Sequence, residues 1–213
     1  MTAARIILWR HGRTEWNVDN RFQGQADIPL DSLGLAQAER TARMLAGFGP
    51  SALYSSDLSR AYTTAAALAA ITGLEIRTDK RLREIHVGSW EGLLGREVDA
   101  TDPELARRLR AGEDVRRSLT GESPSEVAER MAEALTEIAE AAEDHSTVVV
   151  ATHGLSGRVG ACRFVRLPFE TWRLMGGLSN CAWVSIDRHR SGTYWRIEAY
   201  NALATHEGLE AIS

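Results

Sequence analysis

The chain has 213 residues, 44% of them hydrophobic and 25% charged, with a formal net charge of −4. These are the proportions of an ordinary soluble globular domain. No apolar run nears the ~20 residues needed to cross a bilayer, and the apolar stretch near the N-terminus is too short for a secretory h-region. The acidic balance argues against a general nucleic-acid binder, which carries a basic face. A cytoplasmic location with neither a membrane nor a nucleic-acid partner is therefore expected.

Of the 25 Lys and Arg residues, Lys80 is the only lysine, so an isolated arginine says little and only its surroundings carry meaning. Cys162 and Cys181 have no metal-ligand spacing and read as reduced core thiols. "RIILW" (5–9) reads as a short buried strand. A helix is expected from Asp31–Ser32 to Gly47, with Gly49-Pro50 beyond it. "ALYSS" (52–56) is a second strand, with Asp57 or Ser59 capping an Ala-rich helix that stops at Gly73. "LEIRT" (74–78) is a third. Residues 84–123 are broken by glycines around pieces such as "PELARRLRAG" and read as an insertion over the sheet, with a helical lid at about 86–123. "SPSEVAERMAEALTEIAEAAED" is a long amphipathic helix with Pro124 in its first turn. It leads into "TVVVA" (147–151), the clearest buried strand, and a helix from about Leu155 that ends short of Pro168. "CAWVSI" (181–186) and "YWRIEAYN" (194–201) are the last strands, and the tail after Asn201 is expected to be loosely ordered. This alternation predicts one α/β domain over residues 1–213: a three-layer α/β/α arrangement, its sheet mostly parallel with one antiparallel edge strand.

Three of these strands end in polar groups: "RHG", "SSDLSRAYTTA" and "THG". Ligand sites in open parallel sheets form beyond the carboxyl ends of the strands, so Arg10, His11, Arg60 and His153 are expected to converge there. Arginine does not coordinate metals and no carboxylate set accompanies it, so neither a metal nor a cofactor is expected. The set suits a dianionic phosphoryl group, which arginine's rigid fork matches bidentately. Helix-opening amides after Gly12 and Gly154 would add donors. Both glycines also fit positions of positive φ. A neutral histidine held in such a clamp can attack phosphorus itself. Glu84, in "RLREIHVGSWEG", is the candidate donor of a proton to the leaving oxygen. It must be protonated to act, which burial favours and neighbouring cations oppose. Taken singly, each residue has an ordinary structural reading; the joint pattern of two strand-end His-Gly pairs with an arginine between them is what points to chemistry.

"RHGRTEWN", "FQGQADIPLDSLGLAQA", "YSSDLSRAYTTA", "LREIHVGSWEG", "GES" and "ATHG", in that order, resemble the histidine phosphatase superfamily, which contains the phosphoglycerate mutases and their phosphatase relatives. The resemblance implies His11 as nucleophile, Arg10, Arg60 and His153 as phosphoryl-binding groups, and Glu84 as proton donor. It implies Thr14, Asn17, Gln23, Gly24 and Leu155 on the phosphate and substrate side of the pocket, Glu122 at or behind its rim, and Arg13 on the rim. It also implies no metal, and a homodimer, since related proteins are often dimers. "LREIHVGSWEG" resembles the phosphatase branch, and "LPFETWRLMGGLSNCAWVSI" resembles the actinobacterial glucosyl-3-phosphoglycerate phosphatases within it. The implied activity is metal-independent hydrolysis of a small phosphomonoester, a sugar phosphate or phosphoglycerate type, through a phosphohistidine. The alternatives are a cofactor-dependent phosphoglycerate mutase and a non-catalytic phospho-ligand module; the latter would have lost one of the five key residues. Two departures from the family pattern are Trp9, whose bulk either narrows the pocket or fills core, and His86. Arg107, Arg108, Arg110, Arg116 and Arg117 either meet an acidic substrate or form an exposed arginine face; the second account suits most of them.

Overall fold

The computed structural model describes residues 2–204; the C-terminal tail expected to be loosely ordered lies, from residue 205 on, outside them. Six strands, β1 (Arg5–Arg10), β2 (Pro50–Ser55), β3 (Ile76–Thr78), β4 (Thr147–Thr152), β5 (Trp183–Arg188) and β6 (Trp195–Ala202), form one sheet in the order β3-β2-β4-β1-β5-β6. β1 and β2 both run parallel to β4, and β3 runs parallel to β2. The expected antiparallel pairing lies at the opposite edge: β5 runs against β1, one place in, and β6 closes the sheet against β5.

Among the described residues eight α-helices accompany it: α1 (Glu15–Val18), α2 (Ser32–Ala46), α3 (Ser59–Thr72), α4 (Gly95–Thr101), α5 (Pro103–Arg110), α6 (Pro124–Ala141), α7 (Gly154–Phe164) and α8 (Phe169–Trp172). The period-two alternation of β1 sorts them into two layers. Ile6 and Leu8 join Met131, Leu135 and Val159 on the α6–α7 face. Ile7 and Trp9 join Ala38, Leu45, Ala65 and Leu68 on the α2–α3 face. Trp9 is fully buried there, so its bulk fills core. The segment between β3 and α6 is held to the α6–α7 face, burying Trp90 and Val98 in the same cluster. Among the described residues no helix is long and apolar enough to cross a membrane.

α3 corrects one expectation. Its N-cap is Leu58, which supplies no side-chain hydrogen bond. Asp27 takes the Ser59 amide at 2.7 Å and Ser56 Oγ takes the Leu58 amide at 3.3 Å, so these two amides at the start of the helix are satisfied from outside it. Asp57 instead pairs with Arg83 at 2.6 Å. α6 begins with Pro124 behind a Ser123–Glu126 capping box, and α3 ends on Gly73 at φ +72°.

Candidate active site

In the sheet β4 lies between β2 and β1. The chain therefore leaves three adjacent parallel strands at one edge, carrying Ser56–Arg60, His153 and Arg10–His11. A pocket of about 250 Å³ opens there, lined by Arg10, His11, Asn17, Arg21, Phe22, Gln23, Gly24, Arg60, Glu84, Ile85, Val87, Arg117 and Leu155. Of the residues expected at the site, Thr14, Glu122 and His153 do not line it. A larger concavity of about 820 Å³ lies between α6, the end of α7 and the β5–β6 turn. Its walls hold none of the motif residues, and its charges are partly matched already, as in Arg163–Glu129 at 2.8 Å.

The hydrogen bonds fix both histidine tautomers. His11 Nδ1 lies 2.7 Å from Gly12 O, and a carbonyl only accepts, so Nδ1 carries the hydrogen and Nε2 keeps its lone pair. Arg60 Nε donates to His153 Nδ1 at 3.2 Å, so His153 Nε2 carries the hydrogen and donates to Ser56 Oγ at 2.9 Å. With both ring nitrogens engaged, His153 stands behind His11, the ring centroids 5.2 Å apart, and braces Arg60 where the resemblance implied direct phosphoryl contact. Burial, then the charges of Arg60 and Arg10, hold His11 well below the ordinary histidine value of 6.5. Burial, then Arg60 and His11, do the same to His153. Both imidazoles are neutral at physiological pH.

The arginines of the pocket are short of anions. Arg60 is completely buried; besides His153 it donates to Ala26 O at 2.7 Å and Gly24 O at 2.8 Å. Burial above all pushes it down to about 10, still charged at neutral pH. Arg10 donates Nη1 to Leu178 O, and its buried Nε has no partner among the described residues. Neither forms an ion pair with a carboxylate among the described residues. The glycines beside them serve close approach: neither Gly12 nor Gly154 has the positive φ expected of it. A Cβ on Gly12 would lie 2.3 Å from Gly34 O, and one on Gly154 would lie 3.3 Å from Arg10 Nε.

Asn17 is oriented by three donors. The Thr14 amide, the Thr14 hydroxyl and Asn180 Nδ2 all reach its Oδ1 at 3.1 Å. Its Nδ2 hydrogens are thereby left for a ligand. Thr14 is buried as the cap of α1 and acts on the pocket only by holding Asn17. Asn180, which also donates to His11 O at 3.2 Å, was not singled out in the sequence; its signal is a polar residue in the short loop after Gly176-Gly177, just ahead of β5. Gln23 and Gly24 line the wall, with Gln23 Oε1 buried and unpartnered.

Glu84 docks on the first turn of α7: Oε1 accepts from the Ser156 amide at 2.9 Å and the Ile85 amide at 3.0 Å, and Oε2 from the Leu155 amide at 3.1 Å. Leu155 thus contributes an amide to Glu84 as well as a piece of wall. Of the two places the resemblance allowed for Glu122, the structure gives the one behind the rim, without contact to a substrate. Its oxygens accept from Arg130 Nε at 2.8 Å, Arg130 Nη2 at 2.9 Å and the His86 amide at 2.8 Å, leaving no edge for substrate. Burial opposes its charge, but Arg130 and the His86 amide outweigh burial and hold its pKa below the usual glutamate value. Arg13 pairs with Asp31 at 2.7 Å outside the pocket.

The lid arginines divide. Arg107 pairs with Glu104, Arg108 with Glu113, Arg110 with Asp99 and Arg116 with Glu126, all on the surface. Arg117 lines the pocket, donates to Val115 O at 3.2 Å, and has no carboxylate partner among the described residues. Burial, then the charge of Arg158, push it down to about 10. Arg21, also missed in the sequence, lines the pocket and donates to Gly92 O at 2.7 Å.

Comparison with known proteins gives the family. The chain is 36% identical to a Mycobacterium tuberculosis glucosyl-3-phosphoglycerate phosphatase, covering 96% of this chain and 97% of that protein. A mycobacterial glucosyl-3-phosphoglycerate phosphatase solved in complex with VO3 matches with a TM-score of 0.87 at 36% identity, over 93% of this chain and 99% of that one. The phosphoserine phosphatase of Entamoeba histolytica, solved with 3-phosphoglyceric acid, matches at 0.81 and 27% identity, over 93% and 96%. Residues 6–203 match the model of the histidine phosphatase superfamily, branch 1. The chain belongs to the histidine phosphatase superfamily.

Proposed function

We propose that the protein is a metal-independent phosphomonoesterase that works through a phosphohistidine on His11. One observation carries this: a neutral imidazole with a free Nε2 lone pair lines the same pocket as the buried Arg60 and the half-buried Arg10, neither of which forms an ion pair among the described residues. The domain spans the chain, with residues 86–123 as a lid at the pocket.

A phosphoryl dianion entering the pocket supplies the missing charge. Arg10 Nε, the unused N–H groups of Arg60 and Asn17 Nδ2 take its equatorial oxygens. His11 Nε2 attacks phosphorus, the P–O ester bond breaks, and Glu84 gives its proton to the leaving oxygen. Water then attacks the phosphohistidine, Glu84 takes a proton from it, the P–N bond breaks, and phosphate leaves a neutral His11. His153 keeps Arg60 in place throughout.

The substrate class follows from Arg117. An unpaired cation on the lid side of the pocket suits a phosphomonoester that also bears a carboxylate. Glucosyl-3-phosphoglycerate, in the name of the mycobacterial relative, and phosphoserine, in that of the amoebal one, both do. We therefore put phosphoglycerate-type metabolites first.

The test is a panel of glucosyl-3-phosphoglycerate, 3-phosphoglycerate, phosphoserine and 4-nitrophenyl phosphate, followed by phosphorus NMR. Inorganic phosphate should accumulate, with kcat/KM highest on a carboxylate-bearing substrate. Transfer of the phosphoryl group to another carbon of phosphoglycerate would identify a mutase, and binding without turnover would identify a phospho-ligand module.

A further inference from the structure

The backbone that carries Glu84 has no ladder to hold it: residues 83–87 belong to neither strand nor helix. Arg130, on α6, supplies what is missing. Its Nη1 donates to Arg81 O at 2.6 Å and Arg83 O at 2.7 Å, and its Nη2 to Glu84 O at 3.0 Å. The remaining donors, Nε and the other Nη2 hydrogen, go to Glu122 at 2.8 and 2.9 Å. All five guanidinium hydrogens are thereby used. Glu122 completes the brace, accepting the His86 amide on Oε2 and donating its own amide to His86 O, both at 2.8 Å. The segment 81–86 is thus tied to α6 through main-chain atoms of four residues, while the Glu84 carboxylate is tied to α7.

We propose that Arg130 and Glu122 are positioning residues that set the distance between the Glu84 carboxyl and the leaving oxygen. This rests on the reading of Glu84 as the acid. Neither residue lines the pocket, so neither touches substrate. The fork geometry is essential, because a lysine has three hydrogens on one point and cannot serve three carbonyls and a carboxylate at once. A shift of the acid by about 1 Å costs on the order of 100-fold in the step that needs it. That step matters for an alkyl ester, whose leaving alkoxide needs a proton, and little for 4-nitrophenyl phosphate, whose phenolate leaves without one.

Glu122→Gln, Arg130→Lys and Glu84→Gln should be compared on 3-phosphoglycerate and 4-nitrophenyl phosphate, with melting curves for each. Measured as the single-turnover rate of His11 phosphorylation, so that the later hydrolysis shared by both esters does not enter, Glu122→Gln and Arg130→Lys should lose about 30- to 100-fold on the alkyl ester with half-saturation little changed, and less than about 3-fold on the aryl ester. In a Glu84→Gln background, adding Glu122→Gln should cost nothing more on the alkyl ester. Equal losses on both esters, or a full additional loss in the Glu84→Gln background, would overturn the positioning role. If Glu84→Gln alone loses equally on both, the acid assignment falls first, and the positioning role falls with it. Should Arg130→Lys fail to fold, Glu122→Gln carries the test, since it keeps the side chain's shape while removing the charge and turning one of the two acceptor oxygens into a donor.

Discussion

Two sets of arginines in this protein share a side chain and differ in everything else. Arg107, Arg108, Arg110 and Arg116 lie on the surface, each matched by a carboxylate. Arg10, Arg60 and Arg117 line a pocket and have no carboxylate partner among the described residues. A matched surface pair contributes about 0–1 kcal/mol and its loss is barely felt. An unmatched cation drawn out of water, as Arg60 is completely and Arg10 and Arg117 are in part, carries a desolvation cost until an anion arrives. Function in an arginine-rich chain is therefore legible from uncompensated charge gathered in one pocket, not from charge density.

The sharpest way to break this comparison is to leave the arginines and remove the nucleophile. His11→Ala should lose at least about 10⁴-fold in turnover while still binding phosphate, seen as a retained rise in melting temperature with added phosphate. Arg60→Ala should lose about 100- to 1,000-fold in kcat/KM on every substrate, and calorimetry should show a lower melting temperature, because the Gly24 and Ala26 carbonyls lose their donor. Arg117→Ala should raise KM about 10- to 100-fold for substrates bearing a carboxylate and leave 4-nitrophenyl phosphate unaffected. Arg110→Ala, the surface control, should stay within about 2-fold in activity and 0.5 kcal/mol in stability.

The buried histidines add a pH signature. Burial depresses His11 and His153 in the folded state below the ordinary 6.5. Below about pH 6.5 the unfolded chain takes up protons that the folded chain refuses, so stability falls as the pH is lowered through that range and is fully present above it. Melting temperature measured from pH 7.5 to 5 should decline accordingly, and a His153→Gln variant should decline less steeply. For the same reason the acid limb of kcat/KM due to His11 should lie well below pH 6.5.

Much of this was legible in the sequence. Apolar periodicity marked the strands, and the polar groups following "RIILW", "ALYSS" and "TVVVA" marked the edge where the site forms. Less legible were residues whose roles depend on distant partners. Asn180 matters through Asn17, which lies 163 positions away, and the α3 amides are capped by Asp27 and Ser56, not by the expected Asp57 or Ser59. Glu122 belongs to the right motif but faces Arg130, because the lid returns to α6 at that point. Arg117 differs from its neighbour Arg116 only in direction, and direction is set by the lid's packing, which no local pattern encodes.

The central claim is that His11 carries the phosphoryl group. Enzyme mixed with phosphorus-labelled substrate for milliseconds and quenched in alkali, where phosphohistidine survives, should show label on His11, bonded through Nε2, at a fraction that forms and decays fast enough to account for kcat. Steady turnover with no labelled histidine, or with the label on another residue, would contradict it.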